Sequence, residues 1–112
     1  MGTIPLPDES AHLYAYLCAG LADPTRIQIL HLLEDEPKNV NTLARILGLS
    51  QPAVSRHLKI LRERGLVRAK RHKQAVFYEL NDPRIIDALD LLRSIIRDHL
   101  QTQAQVLDTD VP

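Results

Sequence analysis

The segment from Gln51 to His57 carries side chains that can hydrogen-bond the edges of base pairs. Its short or amide-bearing side chains are Gln51, Ser55 and His57, and Arg56 lies beside them. A glutamine amide can bond bidentately to adenine, and each well-formed pair of this kind contributes about 1 to 3 kcal/mol of discrimination between bases. The sequence therefore predicts base contacts from Gln51, Ser55, Arg56 and His57.

Basic residues are concentrated in the same part of an otherwise neutral chain. From Arg56 to Lys73 there are eight Lys or Arg and a single acid, Glu63, so this segment carries +7 and the remainder of the 112 residues carries −7. Such segregation attracts a polyanion to one side of a molecule. The alternative is a solvated charged helix followed by a charged hairpin. The predicted phosphate and hairpin contacts are Ser50, Lys59, Arg62, Arg68, Lys70, Arg71, His72, Lys73 and Gln74.

The elements that must position these residues follow from apolar spacing, caps and turn residues. A first helix is expected from Pro7 to about Gly20, and a second begins at the cap Asp23-Pro24 and ends in the acidic turn 34–37. A third, capped by Asn41 or Thr42, ends at Gly48. A fourth begins at the cap Ser50 and closes at Gly65. A hairpin of 66–71 and 75–80, separated by His72-Lys73-Gln74, precedes a last helix from Asp82-Pro83 to about Gln103.

A short helix, a tight turn, a longer helix and a basic hairpin, in that order, are typical of a winged helix-turn-helix. The predicted fold is mainly α with one small β-hairpin, in the order of four helices, two strands and a fifth helix. A single domain is expected over residues 1–103, with a flexible tail over 104–112.

The last helix carries a wide apolar stripe. Ile85, Leu89, Leu92, Ile96 and Leu100 follow one another at helical steps, and the first helix carries Leu13 and Leu17. The stripe either packs on the protein's own core or pairs with a second copy in a two-fold dimer. We predict a homodimer whose interface includes all seven of these residues.

Three stretches of the chain resemble the ArsR/SmtB family of bacterial winged-helix repressors. They are Leu21 to Ile27, with its Asp-Pro-Thr-Arg, Leu49 to Leu61, with its Ser-x-His-Leu, and Gly65 to Val67. The resemblance covers roughly residues 10 to 100. It implies a homodimer built by the first and last helices, which binds an imperfect inverted repeat in double-stranded DNA and is released by an inducer. It also places Gln51, Ser55 and His57 on the recognition helix and residues 71–74 at the wing tip.

The metal ligands that the resemblance would imply are missing from the sequence. The third helix, around Val40 to Arg45, has no Cys-x-Cys pair, and Asp82-Pro83-Arg84 replaces the Asp-x-His of zinc-type sensors. A zinc site without two of its four ligands binds weakly. We therefore predict no cofactor and no metal, with a nonstandard site that uses His99 with Asp98, or His12 from the first helix of the other subunit, as the alternative.

The single cysteine and the remaining composition limit the other classes of function. Cys18 is expected to be buried and inert, with a thiol-based redox regulator as the alternative. The sequence contains no phosphate-binding loop, no recognisable set of nucleophile and base, and no cluster of metal ligands, so an enzyme is not expected. No apolar run predicts a membrane span, and no signal sequence is seen, so a cytoplasmic location is expected. A winged-helix module for protein contact or DNA architecture, without an inducer, remains the rival function.

Overall fold

The fold is that of a computed structural model, in which residues 8–109 are described, with side chains for residues 9–105. The chain divides into two compact units, with the boundary after Asp82. The elements of the first are α1 (Asp8–Ala19), α2 (Pro24–Leu32), α3 (Val40–Leu47), α4 (Gln51–Glu63), β1 (Val67–His72) and β2 (Ala75–Leu80). The second contains α5 (Arg84–Thr109). The prediction of one domain over 1–103 stays a prediction.

Side-chain caps begin α2 and α4 where the sequence predicts them. The Asp23 carboxylate accepts hydrogen bonds from the backbone N–H groups of Thr25 (2.8 Å) and Arg26 (3.3 Å), and Pro24 occupies the first turn. Ser50 Oγ accepts from the N–H of Ala53 at 3.2 Å. These bonds satisfy N–H groups that have no partner inside the helix, which is why each helix begins at that residue.

The cap of α3 is Asn39, so the prediction of Asn41 or Thr42 was wrong. Asn39 has an extended backbone, and its side-chain oxygen accepts from the N–H of Thr42 at 2.8 Å. Asn41 already lies inside the helix and is exposed. The predicted end is confirmed, since Gly48 adopts the left-handed conformation with φ 67°, which glycine adopts without steric cost.

The core of the first unit fixes the helix-turn-helix. Three residues of α4, namely Val54, Leu58 and Leu61, are completely buried, as are Ile29 and Leu30 of α2. Burying a side chain of this size contributes roughly 1.5 to 3 kcal/mol. Because α4 contacts both α2 and α3, this burial sets which side of α4 remains exposed.

The two strands form an antiparallel hairpin that is joined at its base to the segment before α3. Val67 pairs with Leu80, and the register continues to His72 opposite Ala75. The loop is therefore shorter than predicted, because His72 belongs to β1 and Lys73 and Gln74 alone make the turn. Lys38 and Tyr78 exchange backbone hydrogen bonds of 3.0 and 2.8 Å.

The last helix, α5, continues beyond the predicted end at Gln103 to Thr109. No Gly or Pro interrupts residues 104–109, so nothing in the local sequence terminates the helix there. This segment of the predicted flexible tail is thus helical, and residues 110–112 lie outside the described residues. Pro7, the predicted start of the first helix, also lies outside them. Among the described residues, no helix is long and apolar enough to cross a membrane.

Candidate nucleic-acid interface

One side of α4 presents a row of exposed polar and basic side chains. Gln51, Ser55, Lys59 and Arg62 are all exposed, and their spacing places them on one face of a helix with 3.6 residues per turn. This face borders the side of the helix that carries the buried residues Val54, Leu58 and Leu61. The structure therefore brings these four predicted contact residues together.

Arg56 and His57 lie progressively further around α4. Arg56 is exposed about 100° from Ser55, as expected for the next residue of a helix. His57 is half-buried, and within the described residues its buried Nδ1 has no hydrogen-bond partner. The structure thus does not bring His57 together with Ser55 and Gln51, and its predicted base contact stays a prediction.

His57 is near the carboxylate that caps α2. Burial raises the pKa of Asp23, but the backbone N–H groups of Arg26 and Thr25 outweigh this effect. The charges of His57 and Arg26 lower the pKa further, so the carboxyl has a net pKa below its ordinary value. The Asp23 carboxylate therefore stays ionised and keeps its capping role at neutral pH.

A hollow lies between α4 and the hairpin. It has a volume of about 310 Å³, and its lining is Ser55, Leu58, Lys59, Arg62, Glu63 and Tyr78. Lys59 and Arg62 give the hollow a cationic side next to the exposed face of α4. This arrangement suits a phosphate group of the strand that borders a groove.

The predicted wing residues are divided between the two faces of the hairpin. Directly opposed residues project to the same side of a sheet, and neighbours along a strand alternate. Arg71 therefore shares a face with Tyr78, which lines the hollow beside α4. Arg68, Lys70 and His72 share the other face. Lys73 and Gln74 are exposed at the turn.

Glu79 is an acid of the hairpin that the sequence analysis missed. Its Oε1 accepts from Lys70 Nζ at 3.0 Å and from Arg68 Nε at 2.6 Å. The hydrogen bond from Lys70, followed by that from Arg68, lowers the pKa of Glu79. The register could have revealed it, because a hairpin with its turn at Lys73-Gln74 places Glu79 opposite Arg68.

Arg64 was counted within the basic run, but its side chain is bound to α1. Its Nη1 donates to the backbone oxygen of Tyr16 at 2.9 Å, and the guanidinium carbon lies 4.0 Å from the centre of the Tyr16 ring. Arg26 holds the same end of α1 through Gly20 O at 2.8 Å and Ala19 O at 3.3 Å. Both arginines donate to carbonyl oxygens in the last turn of α1 or directly after it, where a helix has few N–H donors of its own, although Ala19 O also accepts from the N–H of Ala22 at 3.3 Å.

The first helix is exposed over its whole central length within a single chain. Residues 11–19 of α1 are all exposed, and the predicted interface residues Leu13 and Leu17 are 70% and 37% exposed. Cys18 is exposed as well. The prediction that Cys18 is buried was wrong for the part of the chain that the structure describes.

On α5, the predicted interface residues differ in exposure. Leu92, Ile96 and Leu100 are at least half exposed, Ile85 is half-buried, and Leu89 is only 6% exposed. Large exposed apolar groups in a row mark an interaction surface. Leu89 has little surface left to offer a partner, so the exposed stripe is narrower than the sequence predicts.

The residues named as alternative metal ligands are exposed on α1 and α5. His12 is exposed on α1, and Asp98 and His99 are exposed neighbours on α5. Within residues 8–109, no group of three or more His, Cys, Asp or Glu side chains is placed to hold a metal ion.

The chain is similar to known bacterial regulators. Residues 23–69 match the family described as bacterial regulatory protein, arsR family. The HTH-type transcriptional regulator KmtR of Mycobacterium tuberculosis is 40% identical over 84 residues, which are 75% of this chain and 65% of KmtR. The nodulation protein NolR of Rhizobium meliloti is 36% identical over 97 residues, which are 84% of this chain and 80% of NolR.

A solved structure supports the same relationship. The homodimeric winged helix-turn-helix DNA-binding domain Mb0332 of Mycobacterium bovis matches with a TM-score of 0.75 and 25% identity, covering 89% of this chain and 95% of that one. The fold and the exposed face of α4 define a winged helix-turn-helix protein, as predicted. The chain belongs to the arsR family of bacterial regulatory proteins, which confirms the resemblance seen in the sequence.

Proposed function

We propose that this protein is a sequence-specific, DNA-binding transcriptional repressor that acts as a homodimer in the cytoplasm. The observation that carries the proposal is the exposed face of α4, where Gln51 and Ser55 lie beside Lys59 and Arg62 on a helix-turn-helix. In this fold the second helix of the motif enters the major groove. Amide and hydroxyl groups there hydrogen-bond the edges of the DNA bases, whereas Lys59 and Arg62 bind phosphates.

The binding site is an imperfect inverted repeat in double-stranded DNA. A two-fold dimer presents two copies of α4, and such helices bind successive major grooves about 34 Å apart. The operator therefore has the same two-fold symmetry as the protein. The exposed apolar residues of α1 and α5 supply the dimer surface.

The test is an anisotropy titration with duplex DNA from upstream of the protein's own gene. The double substitution Gln51→Ala with Ser55→Ala removes base contacts, so operator affinity falls on the order of 10- to 100-fold while random-sequence affinity stays within twofold. Lys59→Gln lowers the affinity for the operator and for the random-sequence duplex alike, since a phosphate contact carries no sequence information. Gln28→Ala, an exposed amide on α2, changes neither.

Two outcomes of this titration contradict the proposal. Unchanged operator affinity in the double variant would assign α4 to nonspecific binding or to protein contact. Four to six phosphate contacts per subunit predict a slope of log affinity against log salt of about −4 to −5. A much shallower slope would contradict this number of contacts.

An inducer releases the protein by acting on α1 and α5 and so changing the separation of the two recognition helices. The titration is repeated with reduced, chelator-treated protein and added zinc. Release by zinc would make a nonstandard site that involves His99 or His12 the working model, whereas unchanged binding excludes zinc as inducer. The exposure of Cys18 favours the thiol as the second candidate, and release by an oxidant that disappears in Cys18→Ser would establish it.

A further inference from the structure

The face of the hairpin that carries Arg68 and Lys70 also carries its own counter-charge. Glu79 lies directly opposite Arg68 in the strand register. A single carboxylate oxygen accepts from both cations, at 2.6 Å from Arg68 Nε and 3.0 Å from Lys70 Nζ. The three side chains form one ion-pair cluster across the two strands.

The burial of the three groups differs. The side chains of Arg68 and Lys70 are 53% and 63% exposed, whereas that of Glu79 is 19% exposed. The carboxylate is therefore fixed close to the strands, and the cations reach in towards it. Both cations lower the pKa of Glu79, so it remains charged at neutral pH.

The other cations of the hairpin are not neutralised in this way. Among the residues that the structure describes, neither Arg71 nor Lys73 has an ion-pair partner. Arg71 lies on the hairpin face that borders the hollow beside α4, and Lys73 lies at the turn. A cation without a partner gains more from a phosphate than one that must first leave a carboxylate.

We propose that Glu79 keeps Arg68 and Lys70 away from DNA phosphates, so that Arg71 and Lys73 make the phosphate contacts of the wing. Glu79 is thus a positioning residue that sets how many phosphates each subunit neutralises. The inference rests on the proposed DNA binding and assigns roles within that surface.

The consequence is a limit on affinity for DNA of any sequence. Each phosphate contact contributes about −0.9 to the slope of log affinity against log salt, and it strengthens binding most at low salt. Arg68 and Lys70, which Glu79 holds, do not add to the number of phosphate contacts per subunit. The protein therefore binds DNA more weakly than its basic residues alone would indicate.

The experiment measures salt dependence with a random-sequence duplex and the full-length protein. Glu79→Gln keeps the shape of the side chain but removes its charge. The expected result is binding at least about fivefold tighter at 0.1 M salt, with a slope steeper by about 0.9 for each of the two released cations, or about 1.8 per subunit. Glu34→Gln, an exposed acid after α2, removes the same charge outside the hairpin and leaves the slope unchanged.

The variant Lys70→Gln separates withheld cations from contacting ones. In the wild-type background it changes the slope by less than a third of the change caused by Arg71→Gln. In the Glu79→Gln background Lys70→Gln reverses about half of the gain in slope, because Arg68 remains released. The wild-type comparison of Lys70→Gln with Arg71→Gln remains decisive if Glu79→Gln fails to fold.

Three outcomes have distinct meanings. Failure of the wild-type protein to bind either duplex would overturn the proposed function together with the inference. Normal binding with an unchanged slope in Glu79→Gln would overturn the inference alone. An equal loss from Lys70→Gln and Arg71→Gln in the wild type would also overturn it, because Lys70 would then already contact phosphate.

Discussion

At the scale of single residues, capping side chains determine where the helices of the DNA-binding motif begin. Asn39, Asp23 and Ser50 each stand in an extended backbone and accept from an N–H group of the following turn. These bonds fix the first residue of each helix, whereas the buried apolar residues decide which face of α3 and α4 remains exposed.

The cap of α3 gives a matched pair of variants. We expect Asn39→Ala to lower the free energy of unfolding by about 1 kcal/mol, because the N–H of Thr42 loses its partner. Asn41→Ala, inside the same helix and exposed, changes it by less than about 0.5 kcal/mol. Urea unfolding followed by circular dichroism measures both. A larger loss from Asn41→Ala would show that the helix begins later.

The cap of α2 has a pH dependence of known sign. The folded-state pKa of Asp23 lies below its ordinary value of 3.8, so its contribution to stability is complete above that value and is lost as the pH falls through the folded pKa. Asp23→Ala is therefore expected to be less stable than wild type by a constant amount from pH 7 to about 5, and the difference shrinks below pH 3.8.

Urea titrations across this pH range measure the effect. Asn39→Ala is the control, because an amide cap does not titrate and its penalty should persist at every pH at which the protein folds. A difference for Asp23→Ala that did not diminish in acid would show that its carboxylate charge contributes nothing to the cap.

At the scale of elements, α1 is held at its C-terminal end by the DNA-binding motif. Arg26 of α2 and Arg64, at the end of α4, both donate to backbone oxygens of this end. The end of α1 also lies close to the segment between α4 and β1, since a Cβ at Gly20 would lie 2.8 Å from Leu66 Cδ1. A displacement of α1 is thereby coupled to the end of the recognition helix.

Neighbouring arginines should separate this structural role from DNA contact. Arg64→Ala is expected to speed amide hydrogen exchange in α1 and to cost about 1 kcal/mol, because a hydrogen bond and a cation–π contact are lost. Arg62→Ala, on the exposed face of α4, should leave α1 exchange unchanged and reduce the salt slope of DNA binding by about 0.9. Accelerated α1 exchange in Arg62→Ala would contradict the division of roles.

At the scale of the whole molecule, exposed apolar residues on two helices favour the proposed dimer. Leu13 of α1 is 70% exposed, and Leu92 and Ile96 of α5 are 50% and 59% exposed. Surfaces of this kind are stabilised when a second copy covers them. In the proposed function that copy also supplies the second recognition helix.

We expect Ile96→Glu to prevent dimerisation and operator binding together. Burial of an unpaired carboxylate at a two-fold interface costs several kcal/mol, which raises the dimer dissociation constant by at least about 100-fold. Sedimentation velocity measures the oligomeric state, and anisotropy measures operator binding. Gln101→Glu, which adds the same charge at an exposed polar position of α5, should leave both unchanged. A monomeric Ile96→Glu protein with full operator affinity would overturn the dimer proposal.

Local sequence was sufficient to predict the order of the elements and the exposed face of α4. Apolar spacing in α4, the cap at Ser50 and the left-handed Gly48 each depend on interactions within a few residues, so they are visible in the sequence. The error at α3 arose because Asn39 and Asn41 are equally good caps by residue type, and only the backbone conformation distinguishes them.

Tertiary structure decided how the polar and basic residues are used. Arg64 binds α1, Glu79 pairs with two cations of the hairpin, and Cys18 is exposed. The roles of Arg64 and Glu79 depend on contacts between residues that are distant in sequence. The exposure of Cys18 depends on which of the described residues pack against α1. The amino-acid sequence therefore determined a basic winged helix-turn-helix, whereas only long-range packing determined which of its charges remain available to DNA.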